Sequence, residues 1–309
     1  MPKTEDEEAA GANIVHIQKE TKIMINNEAY RFRDNVVGRF GMTDGKAFVR
    51  PGLIQFRYEV NIKNKGRIKN EALMIVRLIQ NSSQRTVRIL HQGEVNGLRF
   101  ILTTPIGKPL IKLLKDAPKL NAHSYVHLIL ETFKCIRDVH DAKCAHFDVQ
   151  PSSFCVKKND QKMLMFSSFH MASTLRSVTK LETQRRIKPR VYATTYSSRR
   201  QHKGQRIGMA DDYESWIYMI YEFIHGESLK WAKYKDWNSV LYAKWTFIRT
   251  YKNKDHSVEK RMKKLMGLIW SMNISNSEST TDTLVKEVQD WYDAETVKGK
   301  HFAWEEDKK

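Results

Sequence analysis

Residues 209–226 read MADDYESWIYMIYEFIHG, and the reading of this stretch decides the architecture. From Tyr213 to Ile224 apolar and aromatic residues fall on nearly every side of a helical wheel, so the pattern predicts a helix buried inside the protein. Gly226 supplies its stop, because glycine enters the left-handed conformation that ends a helix without a Cβ penalty.

Working outward, the chain divides into two textures. NAHSYVHLILETFKCIRDVHDA (121–142) carries apolar residues at three- and four-residue spacing behind an Asn121 cap. VEKRMKKLMGLIWSM (258–272) and TDTLVKEVQDWYDAE (281–295) read as amphipathic helices. Before Leu102 the period shortens. KIMI (22–25), AFVR (47–50), IQFRYEVNI (54–62) and LRFIL (98–102) are β-prone runs between turn-like clusters, interrupted by one helical pattern, RIKNEALMIVRLIQN (67–81). The expectation is an α+β protein with an acidic disordered tail (1–12), a strand-rich lobe with one main helix (13–104), a larger helical lobe (105–295) and a charged C-terminal tail (296–309).

Composition narrows the function classes. With 53 Lys and Arg against 35 Asp and Glu the formal charge is +18, which favours polyanionic partners or describes a solvated basic surface. Cys135, Cys144 and Cys155 are too few and too irregular for a disulfide framework or a zinc site. The N-terminus lacks the order of a secretory signal and no apolar run is long enough for a membrane span, so an intracellular protein, cytoplasmic or nuclear, is expected.

Three local motifs now carry a resemblance. GMADDYESWIYMIYEF (208–223) is similar to an Asp-Asp-Leu-Glu-Ser helix, HFDVQPSSF (146–154) stands in the place of His-Arg-Asp-x-Lys-Pro-x-Asn-Phe, and GESLKW (226–231) is similar to a Gly-x-Leu-Pro-Trp turn. In this order they resemble the casein kinase one family of protein kinases, including its tau-tubulin kinase-like and nematode-expanded members, over about Tyr30 to Glu295. The resemblance implies a bilobal protein kinase-like fold, ATP as cofactor and serine/threonine phosphotransfer.

Carried over residue by residue, VVGRFG (36–41) puts Gly38 and Gly41 on the second and third glycines of the phosphate loop, with Val36 on the first. VNIK (60–63) is similar to the strand whose lysine holds phosphates and pairs with a helix glutamate, which implies Lys63 and Glu71. FILTTPIG (100–107) looks like the last strand and hinge, with Thr103 as gatekeeper and the main chain of Ile106 facing an adenine edge. Asp148 takes the place of the catalytic aspartate.

The metal-holding positions depart from the pattern. Ser153 replaces the loop asparagine, and SSFHMAS (167–173) places Ser168, Phe169 and His170 where Asp, Phe and Gly belong. Gln150 replaces the lysine that stabilises the transferred phosphate, and Phe147 the loop arginine. Magnesium prefers anionic oxygen ligands, and a serine hydroxyl is neutral and short. The expected reading is a pseudokinase that acts as a protein-binding scaffold or regulator, with ATP as a candidate cofactor without a tightly held magnesium ion and no metal site. Two alternatives stay open: an active serine/threonine kinase with atypical metal handling, and a nucleic-acid-binding protein, the latter supported by charge and by WAKYKDWNSVLYAKWTFIRTYKNK (231–254). For the scaffold, Arg185, Arg186, Lys188, Arg190, Arg199, Arg200 and Lys203 form a basic segment expected to dock an acidic or phosphorylated protein.

Overall fold

A computed structural model describes residues 15–17, 20, 22–25, 27–32, 36–38, 42–48, 53–60, 67–95, 98–116, 120–175, 182–186, 195–251, 257–272, 277–296 and 302–304. The tail expected at 1–12 and most of that expected at 296–309 lie outside these residues; within the latter, Phe302 is buried and stacks on His127 with centroids 3.9 Å apart.

The strand-rich first third builds one antiparallel sheet of six strands. β2 (Lys22–Ile25), β3 (Glu28–Phe32), β5 (Met42–Phe48), β6 (Leu53–Val60), β7 (Ile89–Val95) and β8 (Leu98–Thr103) lie in the order β2-β3-β5-β6-β8-β7. β1 (Val15–Ile17) and β4 (Val36–Gly38) pair separately. The inner position of β6, between β5 and β8, puts Arg57 opposite Ile101 in the middle of the sheet. Helix α1 (Arg67–Gln80) buries Ile68, Ala72, Ile75 and Leu78 against the sheet and presents Glu71 inward with them.

The rest is mainly helical: α2 (Leu110–Asp116), α3 (Ala122–Asp141), the four-residue α4 (Arg199–His202), α5 (Met209–His225), α6 (Trp237–Thr250), α7 (Ser257–Ser271) and α8 (Ser277–Glu295). α3 and α5 are the centre of this layer. Asn121 caps α3 by accepting from the Ser124 amide at 2.9 Å, and Gly226 ends α5 at φ 64°, both as the sequence predicts. Trp216 of α5, fully buried, donates its indole N–H to Thr132 of α3 at 2.9 Å, so the one polar atom of a large apolar side chain is satisfied in the core. The three cysteines are buried and unbridged.

Between the helices run short strands that shape the site: β9 (Cys144–Ala145) against β12 (Ser173–Thr174), the hairpin β10 (Phe154–Lys157) and β11 (Asp160–Phe166), and β13 (Glu182–Arg186) against β14 (Arg206–Gly208). Gly107 stitches the hairpin to the segment after β8: its N–H donates to the Val156 carbonyl at 3.0 Å, and an added Cβ would stand 2.6 Å from that oxygen. Only glycine permits the approach.

Candidate functional site

The loop 146–153 hangs from α5. Asp212, 1% exposed, accepts hydrogen bonds from the amides of His146 and Phe147, both at 2.7 Å, and its Oδ2 lies 2.9 Å from Nε2 of His140. Phe147 sits at φ 61°, a conformation that costs a non-glycine residue free energy, and the two amide bonds to Asp212 hold it there. The His146 ring stacks on Phe166 with centroids 3.9 Å apart, and its Nε2 lies 2.7 Å from the Ser168 carbonyl oxygen. Burial lowers its pKa to about 4, so at neutral pH the ring is uncharged and Nε2 donates.

Phe147 stands where the resemblance places a phosphate-reading arginine. Its ring is buried with Ala145, Met171, Leu175 and Ile207, with Met209 packed alongside. An apolar cluster therefore joins the loop to the segment after Phe169, where the arginine pattern would use charge. The Phe147 carbonyl accepts from Nε2 of Gln201 at 2.8 Å, which ties α4 to the same loop.

Asp148 is surrounded by the substituted side chains. Gln150 Nε2 donates to its Oδ1 at 2.6 Å, Ser153 Oγ lies 2.6 Å from its carbonyl oxygen and 3.2 Å from its Oδ2, and His170 Nε2 approaches Oδ2 at 3.7 Å. Ser168 Oγ and His170 Nδ1 are 2.8 Å apart, so Ser168 reaches Asp148 through that ring. Burial raises the Asp148 pKa to about 6, and the bonds from Gln150 and Ser153 offset part of the rise. Among the described residues, no group of three or more His, Cys, Asp or Glu side chains is arranged to hold a metal ion.

Glu71 closes the other side. It accepts from the Phe169 amide at 2.7 Å and forms an ion pair with Arg57 at 3.1 Å, with side-chain exposures of 0% and 4% respectively. Arg57 NH1 also donates to the Ser167 carbonyl at 3.2 Å. Lys63, expected to pair with Glu71, lies outside the described residues; among those residues the cation paired with Glu71 is Arg57 of β6.

Thr103 ends β8 with no exposure, and Ile106 packs partly buried against the core. Gly38 ends β4, and Gly41 lies outside the described residues.

Arg185 and Arg186 belong to β13, and Lys188 and Arg190 lie outside the described residues. Arg199 is committed internally: its Nε and NH2 bond the two Glu214 oxygens at 2.9 and 3.1 Å, its amide donates to the same carboxylate at 2.8 Å, and its guanidinium lies 4.3 Å from the Trp245 ring centroid. Arg200 caps the Arg206 carbonyl with Nε at 3.0 Å and NH2 at 2.5 Å. Lys203 is exposed over Trp245 at 5.0 Å. Arg199 and Arg200 thus brace α4. The signal for this was readable in part, since Ser198-Arg-Arg-Gln201 is a capping box, observed with both reciprocal bonds. In the basic-aromatic stretch, Trp231 is buried and donates to the Thr195 carbonyl at 2.8 Å, and Tyr242 and Trp245 face outward.

No family model matches the chain. The solved structure of vaccinia related kinase 3 superposes with a TM-score of 0.67 over 92% of this chain and 95% of that chain, at 12% sequence identity. The chain has a bilobal protein kinase-like fold. Two Caenorhabditis elegans proteins, each named a putative serine/threonine-protein kinase (ZK507.1 and ZK507.3), are 26% identical over 137 residues and 24% identical over 136. Those matches span 41% and 32% of the relatives' own length, less than half in each case. In kinase terms the sheet with α1 is the N-lobe and the helical layer is the C-lobe, and the Arg57–Glu71 ion pair joins a strand to the helix within the N-lobe.

Proposed function

We propose that this protein is a pseudokinase whose kinase fold serves binding rather than phosphotransfer. The observation that carries the reading is the state of Asp148. The Gln150, Ser153 and His170 that replace lysine, asparagine and glycine of the kinase pattern all turn toward this one aspartate. Gln150 donates to Oδ1 and Ser153 lies within bonding distance of Oδ2, so both carboxylate oxygens already have a neighbour within the loop. The donor set left around Asp148 consists of neutral hydroxyls, an amide and an imidazole, which suits magnesium poorly because that ion favours several anionic oxygens in an octahedron. Without a metal to neutralise charge on the γ-phosphate, and without the lysine at position 150, each lost electrostatic partner costs about 3 kcal/mol of transition-state stabilisation.

Glu71 pairs with Arg57 and holds the Phe169 amide, which ties α1 to the segment after β11 and supports ATP, without a tightly held magnesium ion, as the ligand. An acidic or phosphorylated protein is the partner that the overall charge favours.

Phosphotransfer to a serine-containing peptide, measured with magnesium and with manganese beside an Asp148→Asn control, tests the reading. Incorporation no greater than the control supports it. Turnover that Asp148→Asn abolishes overturns it in favour of an active serine/threonine kinase, the activity that the names of the nematode proteins carry. Thermal shift with ATP, with and without magnesium, tests the nucleotide claim: a shift that needs magnesium counts against it.

A further inference from the structure

A second polar concavity lies outside the cleft, on the back of the segment that links the lobes. It encloses about 600 Å³ and is walled by the turn after α1, the end of β8 with Thr104 and Pro105, and the turn of the β10–β11 hairpin. Arg88, Lys157 and Lys158 line it, and no carboxylate does. None of the three cations forms an ion pair among the described residues. Thr86, 8% exposed, also lines the groove, and its buried Oγ1 has no hydrogen-bond partner. A hydroxyl left in that state costs free energy unless something fills its bonding capacity.

The frame around these groups is rigid. The Thr104 amide donates to the Arg88 carbonyl at 2.8 Å and the Arg88 amide to Thr104 Oγ1 at 3.1 Å. Gly107 and Val156 stitch the hairpin to the linking segment, and Arg85, paired with Glu131 at 2.6 Å, fixes the turn below. Three cations are thereby presented from two lobes on a preorganised scaffold, which lowers the ordering cost of a ligand.

We propose that this groove binds a phosphorylated serine or threonine within a peptide segment of a partner protein. The phosphoryl group meets Arg88, Lys157 and Lys158, where a guanidinium and two ammonium groups match a dianion with several acceptor oxygens. Ile79, Pro105 and Met165 form an apolar wall beside the cations, which suits a peptide's flanking apolar side chain and serves no purpose for a bare inorganic anion. The assignment does not depend on whether Asp148 supports catalysis, since neither Asp148 nor any residue that contacts it lines the groove.

The test uses fluorescence anisotropy on the full chain with a labelled ten-residue peptide carrying one phosphoserine beside two leucines, and with its unphosphorylated twin. The phosphorylated probe binds at least about tenfold more tightly than the twin, and the double substitution Lys157→Glu/Lys158→Glu removes at least about tenfold of that affinity, the scale of losing a charge-assisted contact. Both lysines sit at a hairpin turn, so the melting temperature stays unchanged. Thr86→Val, isosteric and inside the fold, weakens the phosphorylated probe and leaves the twin unaffected. Lys203→Glu, on the far basic segment, changes nothing. Equal affinity for the two peptides overturns the proposal, as does loss of binding in Lys203→Glu but not in the lysine pair. Displacement of the probe by free phosphate at equal concentration, or tighter binding of a single-stranded oligonucleotide that the lysine pair equally abolishes, also overturns it.

Discussion

Asp212 and Asp148 are both largely buried, both belong to the same catalytic-loop assembly, and their surroundings differ in kind. Asp212 is bonded by two main-chain amides and approached by a histidine, partners that a substitution elsewhere cannot remove. Asp148 is bonded by side chains, and those side chains are the ones that depart from the kinase pattern. The contrast separates what a fold requires from what a reaction requires. Backbone-anchored polar contacts persist because losing them breaks the lobe.

The strongest way to break this comparison is Asp212→Ala, which strands two buried amides and lets Phe147 leave its left-handed conformation. A loss of about 4 kcal/mol in urea denaturation is expected, enough to unfold much of the C-lobe at physiological temperature. A loss under about 1 kcal/mol would show that the loop is held by its apolar cluster alone.

Next in size is Arg57→Met, which removes one partner of the buried Arg57–Glu71 pair and costs about 3 kcal/mol. Arg57→Met/Glu71→Gln costs less than the single change, because glutamine still accepts from the Phe169 amide and carries no charge. A double-mutant cycle that came out additive would mean that the pair is not coupled.

The pH dependence of Asp148 is comparable in size and has a defined sign. Its folded pKa of about 6 lies above its unfolded value near 3.8, so the native state holds the proton longer. Stability is fully present below about pH 4 and falls as pH rises to about 6, by about 3 kcal/mol. Asp148→Asn removes this slope. His146, pushed down to about 4, has the opposite sign between pH 4 and 6.5, and it cancels when the two proteins are compared at each pH. A difference that stays flat from pH 4 to 7 contradicts the burial of Asp148.

Smallest of all is Gln150→Lys, which restores the residue of the kinase pattern. It gives up one side-chain hydrogen bond and is expected to change stability by about 1 kcal/mol or less. Set beside Asp212→Ala, this measures directly how much more the scaffold depends on α5 than on the reacting loop.

Much of the fold could be read from periodicity and caps. The α3 cap at Asn121, the end of α5 at Gly226 and the strand around Phe56 are local signals, written in a few neighbouring residues. What could not be read depends on distance. The pairing of Arg57 with Glu71 joins a strand to a helix, and only the packing of β6 beside α1 shows it. The commitment of Arg199 to Glu214 is equally invisible, because a bidentate pair spanning 15 residues has no periodic trace. The closing of Asp148 by Gln150 and Ser153 was half legible: their neutrality could be read, and their orientation could not.

The grease around Phe147 has one more consequence. Counter-ions screen a guanidinium–phosphate contact within a Debye length of about 8 Å at cellular ionic strength, and phosphatases can erase it. Nonpolar contacts answer to neither, and warming from refrigerator temperature tightens them. Such a latch keeps its grip in brine and ignores the enzymes that write and remove phosphate marks.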